Sequence, residues 1–298
     1  NGNIWIGTNN GLSIYDGTSF KNYFRKDGLR ANNIQDIYFD DNGNALIATW
    51  NGLNLYNGKT FILLHPMTLG YEFGLDRAMS ISKSKDGIYW ISDFSGSGIV
   101  KYDPRSIINI TKSDKFPDQR TTEMKVDKNN NLWVATEGEG LVQIVNESIK
   151  NIITIKDGLR SDVILDMDID QYDNIWLATP SGLSKYDGRK ITNYTTKDGL
   201  PTDYIHALYI DSNGIKWLMT EKGLVKFNGV DVVVYDERHG LFVNRDVGNQ
   251  SALRAMYIEG GPDNKLVLGF HNIGISIFNG SDFINYDIDN GLIDLRIR

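Results

Sequence analysis

The chain has no cysteine among its 298 residues. That excludes disulfides, thiol catalysis and cysteine-ligated metal, and it fits the cytosol and a reducing or anaerobic exterior equally well. No run of 18 apolar residues occurs, so nothing reads as a membrane-spanning helix. The opening NGNIWIGT lacks the charged and apolar regions of a signal peptide, and it lacks a methionine, so the expectation is a fragment of a longer protein. Positive charge is in deficit: 31 Lys and Arg stand against 38 Asp and Glu, a net charge of −7. A phosphate-tracking surface, and with it a nucleic-acid partner, is not expected. Histidine is scarce as well. His65, His206, His239 and His271 form no H-x-x-x-H or H-E-x-x-H spacing, so no sequence-local metal site and no cofactor are expected.

What is present is repetition. NGNIWIGTNNGLSIYDG at 1–17 returns as NGNALIATWNGLNLYNG at 42–58, DNIWLATPSGLSKYDG at 173–188 and NGIKWLMTEKGLVKFNG at 213–229. Looser copies start at 87, 130 and 264. The landmark residues are Trp5, Leu46, Trp90, Trp133, Trp176, Trp217 and Val267. Seven units of 40–50 residues with an aromatic at a fixed place read as blades of a β-propeller rather than as helical repeats.

Each unit reads as four strands. In the fifth, VILDMDID alternates, IWLAT is a continuous apolar run suited to a strand buried on both faces, and LSKY and KITNY follow. Asp187-Gly188 and its counterparts are expected to form tight hairpin turns with both central residues at positive φ. The pentapeptide KDGLR, found at 26–30 and again at 156–160, is the connector to the next blade, with its glycine turning and its leucine packing beneath. The expectation is an all-β, single-domain, seven-bladed propeller spanning 1–298. Its first blade would be closed by pairing of the N- and C-terminal segments, with Leu292–Arg298 beside Ile4–Thr8 and about six residues of the inner strand missing.

The recurring G-x-(I/L)-W-(I/V/L)-(A/G)-T-x-x-G-L-x-x-(Y/F)-(D/N)-G resembles the two-component regulator propeller repeat across all seven copies. The second and seventh depart from it in lacking the tryptophan, and the third in its lengthened turn DFSGSG. The resemblance implies a periplasmic or extracellular ligand-sensing region, often for glycans, joined to the rest of a sensor histidine kinase chain. It supplies no binding residues. A propeller lyase acting on polysaccharide or a streptogramin-like substrate is the enzymatic alternative, for example with His271 beside Glu137 or Glu221. A scaffold that binds protein, including a second copy of itself as a homodimer, is the third.

Candidate ligand contacts come from the loops on one face. The turns between second and third strands offer Trp50, Phe94, Glu137, Glu139, Glu221 and His271, and the joints offer Arg30, Arg77, Arg120, Arg160, Arg245 and Arg254. Arginine forks suit carboxylates and a tryptophan face suits a sugar, so the expected ligand is an acidic oligosaccharide. The long joints at 65–80 and 236–255 are further candidates for shaping a pocket. The acidic turns DDNGN and DIDQYDN resemble calcium loops only faintly, and their side chains are expected to bond their own backbone.

Overall fold

The structure, a computed structural model, describes residues 2–64, 77–93, 98–103, 106–109, 120–242 and 255–297. The strands form seven antiparallel sheets, six of four strands and one of three. The inner strands are Ile34–Phe39, Ala78–Lys83, Thr121–Val126, Asp166–Ile169, Ile205–Ile210 and Ala255–Gly260. Second strands such as Leu132–Thr136, Ile175–Thr179 and Lys216–Thr220 are buried throughout, because they lie mid-blade with a neighbouring blade on each face. This is a seven-bladed β-propeller.

The core is a set of blade-to-blade layers. Trp133 packs with Ile164, Met167 and Leu177 of the next blade, and Trp176 with Leu208, Leu218 and Phe227 of the one after. Both indoles are buried, at 5% and 3% exposure. These two and Trp217 each donate the Nε1–H to the aspartate six residues before: Trp133 to Asp127 at 3.0 Å, Trp176 to Asp170 at 2.9 Å and Trp217 to Asp211 at 3.0 Å. That aspartate also caps its own turn, since Asp170 Oδ1 accepts from the Tyr172 and Asn174 amides. The acidic turns thus do bond their own backbone, as their Asp and Asn content suggested. Trp90 differs: Ser84 stands where the aspartate would be, and the buried Trp90 Nε1 finds no hydrogen-bond partner.

The KDGL-type joints form one short 3₁₀ turn each, at Arg25–Asp27, Ile155–Asp157 and Thr196–Asp198. Each is closed by a left-handed glycine, Gly28, Gly158 or Gly199, and Leu29, Leu159 and Leu200 are buried beneath. The Asp-Gly hairpins differ from expectation. They are four-residue loops in which only the glycine has positive φ. Asp16 Oδ1 accepts from the Thr18 and Ser19 amides, so a side chain supplies the bond that a two-residue turn takes from backbone. Among the described turns between third and fourth strands, Asn146-Glu147, which lacks the glycine, alone has both central residues at positive φ, 49° and 63°.

The ring closes between the last and first blades. Thr8 bridges to Ile297, His271 bridges to Arg296, and the Asn9 amide donates to the Arg296 carbonyl at 3.1 Å. Ile6, Tyr15, Ile275, Leu292 and Ile297 share one buried cluster, and the Tyr15 and Tyr286 hydroxyls meet at 2.6 Å. The pairing is confined to the top of the strand Ile4–Thr8, whose sheet has three strands among the described residues.

Candidate functional site

Second-to-third-strand turns and joints do share one face. Five of the turns are stapled by a threonine hydroxyl that donates to the carbonyl of the glycine closing the turn, as Thr49 does to Gly52 at 2.8 Å and Thr179 to Gly182 at 2.7 Å. The joints then lie against these turns. Arg30 Nε donates to the Asn51 carbonyl at 2.8 Å, and Arg160 Nε to the Ser181 carbonyl at 3.1 Å. These two arginines are therefore engaged in holding joint to turn. Arg77 sets its guanidinium over the exposed ring of Trp50, 5.9 Å from its centre. His271 contributes its backbone to the closing bridge with Arg296, and the residue is exposed. Phe94, Arg245 and Arg254 lie outside the described residues, as do most of the two long joints.

A cavity of about 1300 Å³ opens from this face into the central channel and extends along the inner edge of the first blade. Of the sequence candidates it takes in Arg120, Glu137 and Glu221. Arg120 and Glu137 are an ion pair at 3.7 Å, and the Glu137 amide also donates to the Arg120 carbonyl at 2.9 Å. Glu221 accepts from the Thr202 hydroxyl at 3.4 Å. The cavity adds residues that sequence reasoning missed, namely Thr122, Tyr204 and His206 at the mouth. Tyr204 is 39% exposed, and its ring lies 4.6 Å from the His206 imidazole. Seven of the lining side chains are carboxylates and two, Arg120 and Lys222, are fixed cations.

Deeper in the channel the inner strands bring five carboxylates around one ammonium. Asp36, Glu123, Asp166, Asp168 and Glu259 come from four blades, and the ammonium is that of Lys125. Several of the acids tie one blade to the next. Asp36 Oδ2 accepts from the Ile81 amide at 2.6 Å, Asp166 Oδ2 from Leu208 at 2.8 Å and Asp168 Oδ2 from Ile210 at 2.8 Å. Ser80 donates to Glu123 at 3.4 Å. Burial, assisted by the charges of Asp166 and Asp36, raises the Glu123 carboxyl to about 8 despite Lys125. Burial likewise raises Asp166 to about 7, and raises Asp36 above the usual carboxylate range. Burial disfavours the Lys125 ammonium, but Glu123, Asp168, Glu259 and Asp166 outweigh it and hold its pKa above the ordinary lysine value. Among the described residues no group of three or more His, Asp or Glu side chains is arranged to hold a metal ion.

No family model matches the chain, and no curated protein matches it. Solved structures do. The extracellular domain of the hybrid two component system BT3049 from B. thetaiotaomicron is 19% identical with a TM-score of 0.65, over 98% of this chain and 46% of that one. A streptogramin B lyase is 13% identical with a TM-score of 0.68, over 90% of this chain and 87% of that one. PorZ, a surface component of the type-IX secretion system of Porphyromonas gingivalis, is 16% identical with a TM-score of 0.66, over 91% and 43%. These likenesses establish the fold. The chain spans about half the length of the first of them.

Proposed function

We propose that the chain is the ligand-sensing propeller of a membrane-spanning two-component regulator of the sensor histidine kinase type. In this reading it lies outside the membrane, periplasmic or extracellular, and it binds rather than transforms its ligand. The rest of the parent sensor chain is its signalling partner. The repeat motif and the likeness to the extracellular domain of BT3049 support the class.

The ligand is a hydroxyl-rich oligosaccharide seated at the mouth. One observation carries this: an exposed Tyr204 ring and the Arg120–Glu137 pair line the same deep cavity. A sugar ring sets its C–H face on an aromatic and divides its hydroxyls between donors and acceptors. The expected preference for an acidic glycan is not what this lining favours. Arg30 and Arg160 bond turn carbonyls, Arg120 is paired, and carboxylates outnumber cations around the cavity. A polyanion entering there meets like charge in a low-dielectric channel.

The test is a thermal-shift screen of neutral, acidic and amino oligosaccharides, followed by titration of the best one. A saturable shift from a neutral glycan, weakened tenfold or more in Tyr204→Ala and unchanged in Arg30→Ala, is expected. Preference for the acidic series, or equal affinity in both variants, contradicts the assignment. A second reading, the lyase, has His206, Glu123 and Glu221 on the same cavity as acid–base groups. It predicts shortened or unsaturated products, which mass spectrometry of the titration mixture detects.

A further inference from the structure

The channel cluster shares Asp36, Glu123 and Glu259 with the lining of the cavity, while Lys125, Asp166 and Asp168 lie outside that lining. Six inner strands converge on the channel axis, and alternation of side chains along each sends every second residue inward. Four of the six place charged groups there: Asp36 from the second blade, Glu123 and Lys125 from the fourth, Asp166 and Asp168 from the fifth, Glu259 from the seventh. Tyr209 of the sixth adds its phenol, while the third contributes Ser80 and Ser82 and the first strand of the first blade contributes no charge. The charges are close enough to act on one another across the channel: those of Glu259, Asp166, Asp168 and Glu123 all reach Lys125. Asp36, Glu123, Lys125, Asp166 and Asp168 are half-buried and Glu259 is exposed, so none is sealed from exchange with the medium.

We propose that the inner-strand carboxylates around Lys125 are a proton-binding site of the propeller, taking up protons from the medium and thereby setting the stability of the blade ring. With every acid ionised, five negative charges face one positive charge inside a wall of β-sheet, and repulsion acts directly on blade-to-blade contacts. Three of the five, Asp36, Asp166 and Asp168, accept amide bonds across blade boundaries and cannot move apart without breaking them. Protonating Glu123 and Asp166 removes two of the like charges and leaves Lys125 balanced by its remaining neighbours. The raised carboxyl values of these two residues agree with this division.

The sign follows from linkage. Acids whose folded-state pKa is raised bind more protons folded than unfolded between the ordinary carboxylate range and about 8. Their contribution to stability is complete below that range and is lost as pH rises through it. Each proton involved changes the folding constant by about tenfold per pH unit.

The experiment is urea unfolding from pH 5 to 9 on the wild-type chain, Glu123→Gln, Asp166→Asn and the double variant, with ¹³C-carboxyl NMR titration of the wild type. The wild type is expected to lose stability as pH rises, with a slope of roughly one to two protons, and the double variant to be nearly flat. The Glu123 and Asp166 carboxyl carbons are expected to titrate well above the ordinary range. Lys125→Met, which removes the cation these acids surround, should move the titration to still higher pH. A flat wild-type profile, an equal slope in the double variant, or carboxyls titrating at ordinary values overturns the proposal. The NMR titration decides the matter even where a variant fails to fold.

Discussion

The unpartnered indole of Trp90 offers a quantitative check on the repeat logic. In three blades an aspartate six residues before the tryptophan accepts its Nε1–H at 2.9–3.0 Å. In the third blade Ser84 stands there, its hydroxyl turned to Asp86 and to the Ile88 carbonyl, and Trp90 is 6% exposed with its N–H unmet. A buried donor left unsatisfied costs about 1–3 kcal/mol, and a bond to a charged acceptor contributes about 1.5–3 kcal/mol. Ser84→Asp should recover part of this. Asp86 then becomes a like charge two residues away, so the paired change Ser84→Asp with Asp86→Asn copies the DKN turn of Asp127–Asn129. The double variant should gain about 1–2 kcal/mol, after the cost of fixing the new side chain. For a domain of this size that is a rise of about 2–5 °C in melting temperature. Indole-proton NMR should show the Trp90 Nε1–H moving downfield to join those of Trp133, Trp176 and Trp217. An unchanged melting temperature with an unmoved indole resonance would refute the equivalence of the blades at this position.

Trp176→Ala should cost about 3–5 kcal/mol by opening a cavity between the fifth and sixth blades, read by chemical denaturation. Gly223→Ala combines a φ of 129° with a Cβ that would lie 2.3 Å from the Tyr235 carbonyl, and should cost upwards of about 3 kcal/mol. Gly17→Ala has a φ of 99° but nothing within 4 Å, and should cost only about 1 kcal/mol by the same measurement. Arg160→Ala should loosen its joint, seen as faster amide exchange at 158–162 and in the turn at Ser181, without changing glycan affinity.

The fold was legible because seven imperfect copies average out the ambiguity of any one strand. The tryptophan position and the buried leucine of the joint were readable for the same reason: each is repeated, and each fills space that every blade must fill. The Asp-Gly turns were misread because the dipeptide alone does not reveal that the aspartate side chain closes a four-residue loop. The arginines of the joints were visible as charge, but not as groups already spent on turn carbonyls, since such bonds link residues 21 apart in the chain. Tyr204 and His206 were missed because they belong to a joint and an inner strand, where no repeat marks them. The channel cluster did leave a signal. TTEMKVD and LDMDID place ionisable residues two apart on otherwise apolar strands, which puts them on one face. That pattern is costly unless the face lines a channel.

The central claim, that the mouth of the channel is where a sugar binds, is tested most directly by hydrogen exchange with and without a saturating neutral oligosaccharide. The account predicts protection confined to 120–122, 136–138 and 202–206 on the joint face, with the glycan recovered intact. Protection on the opposite face or the outer strands, or conversion of the glycan to product, would contradict it.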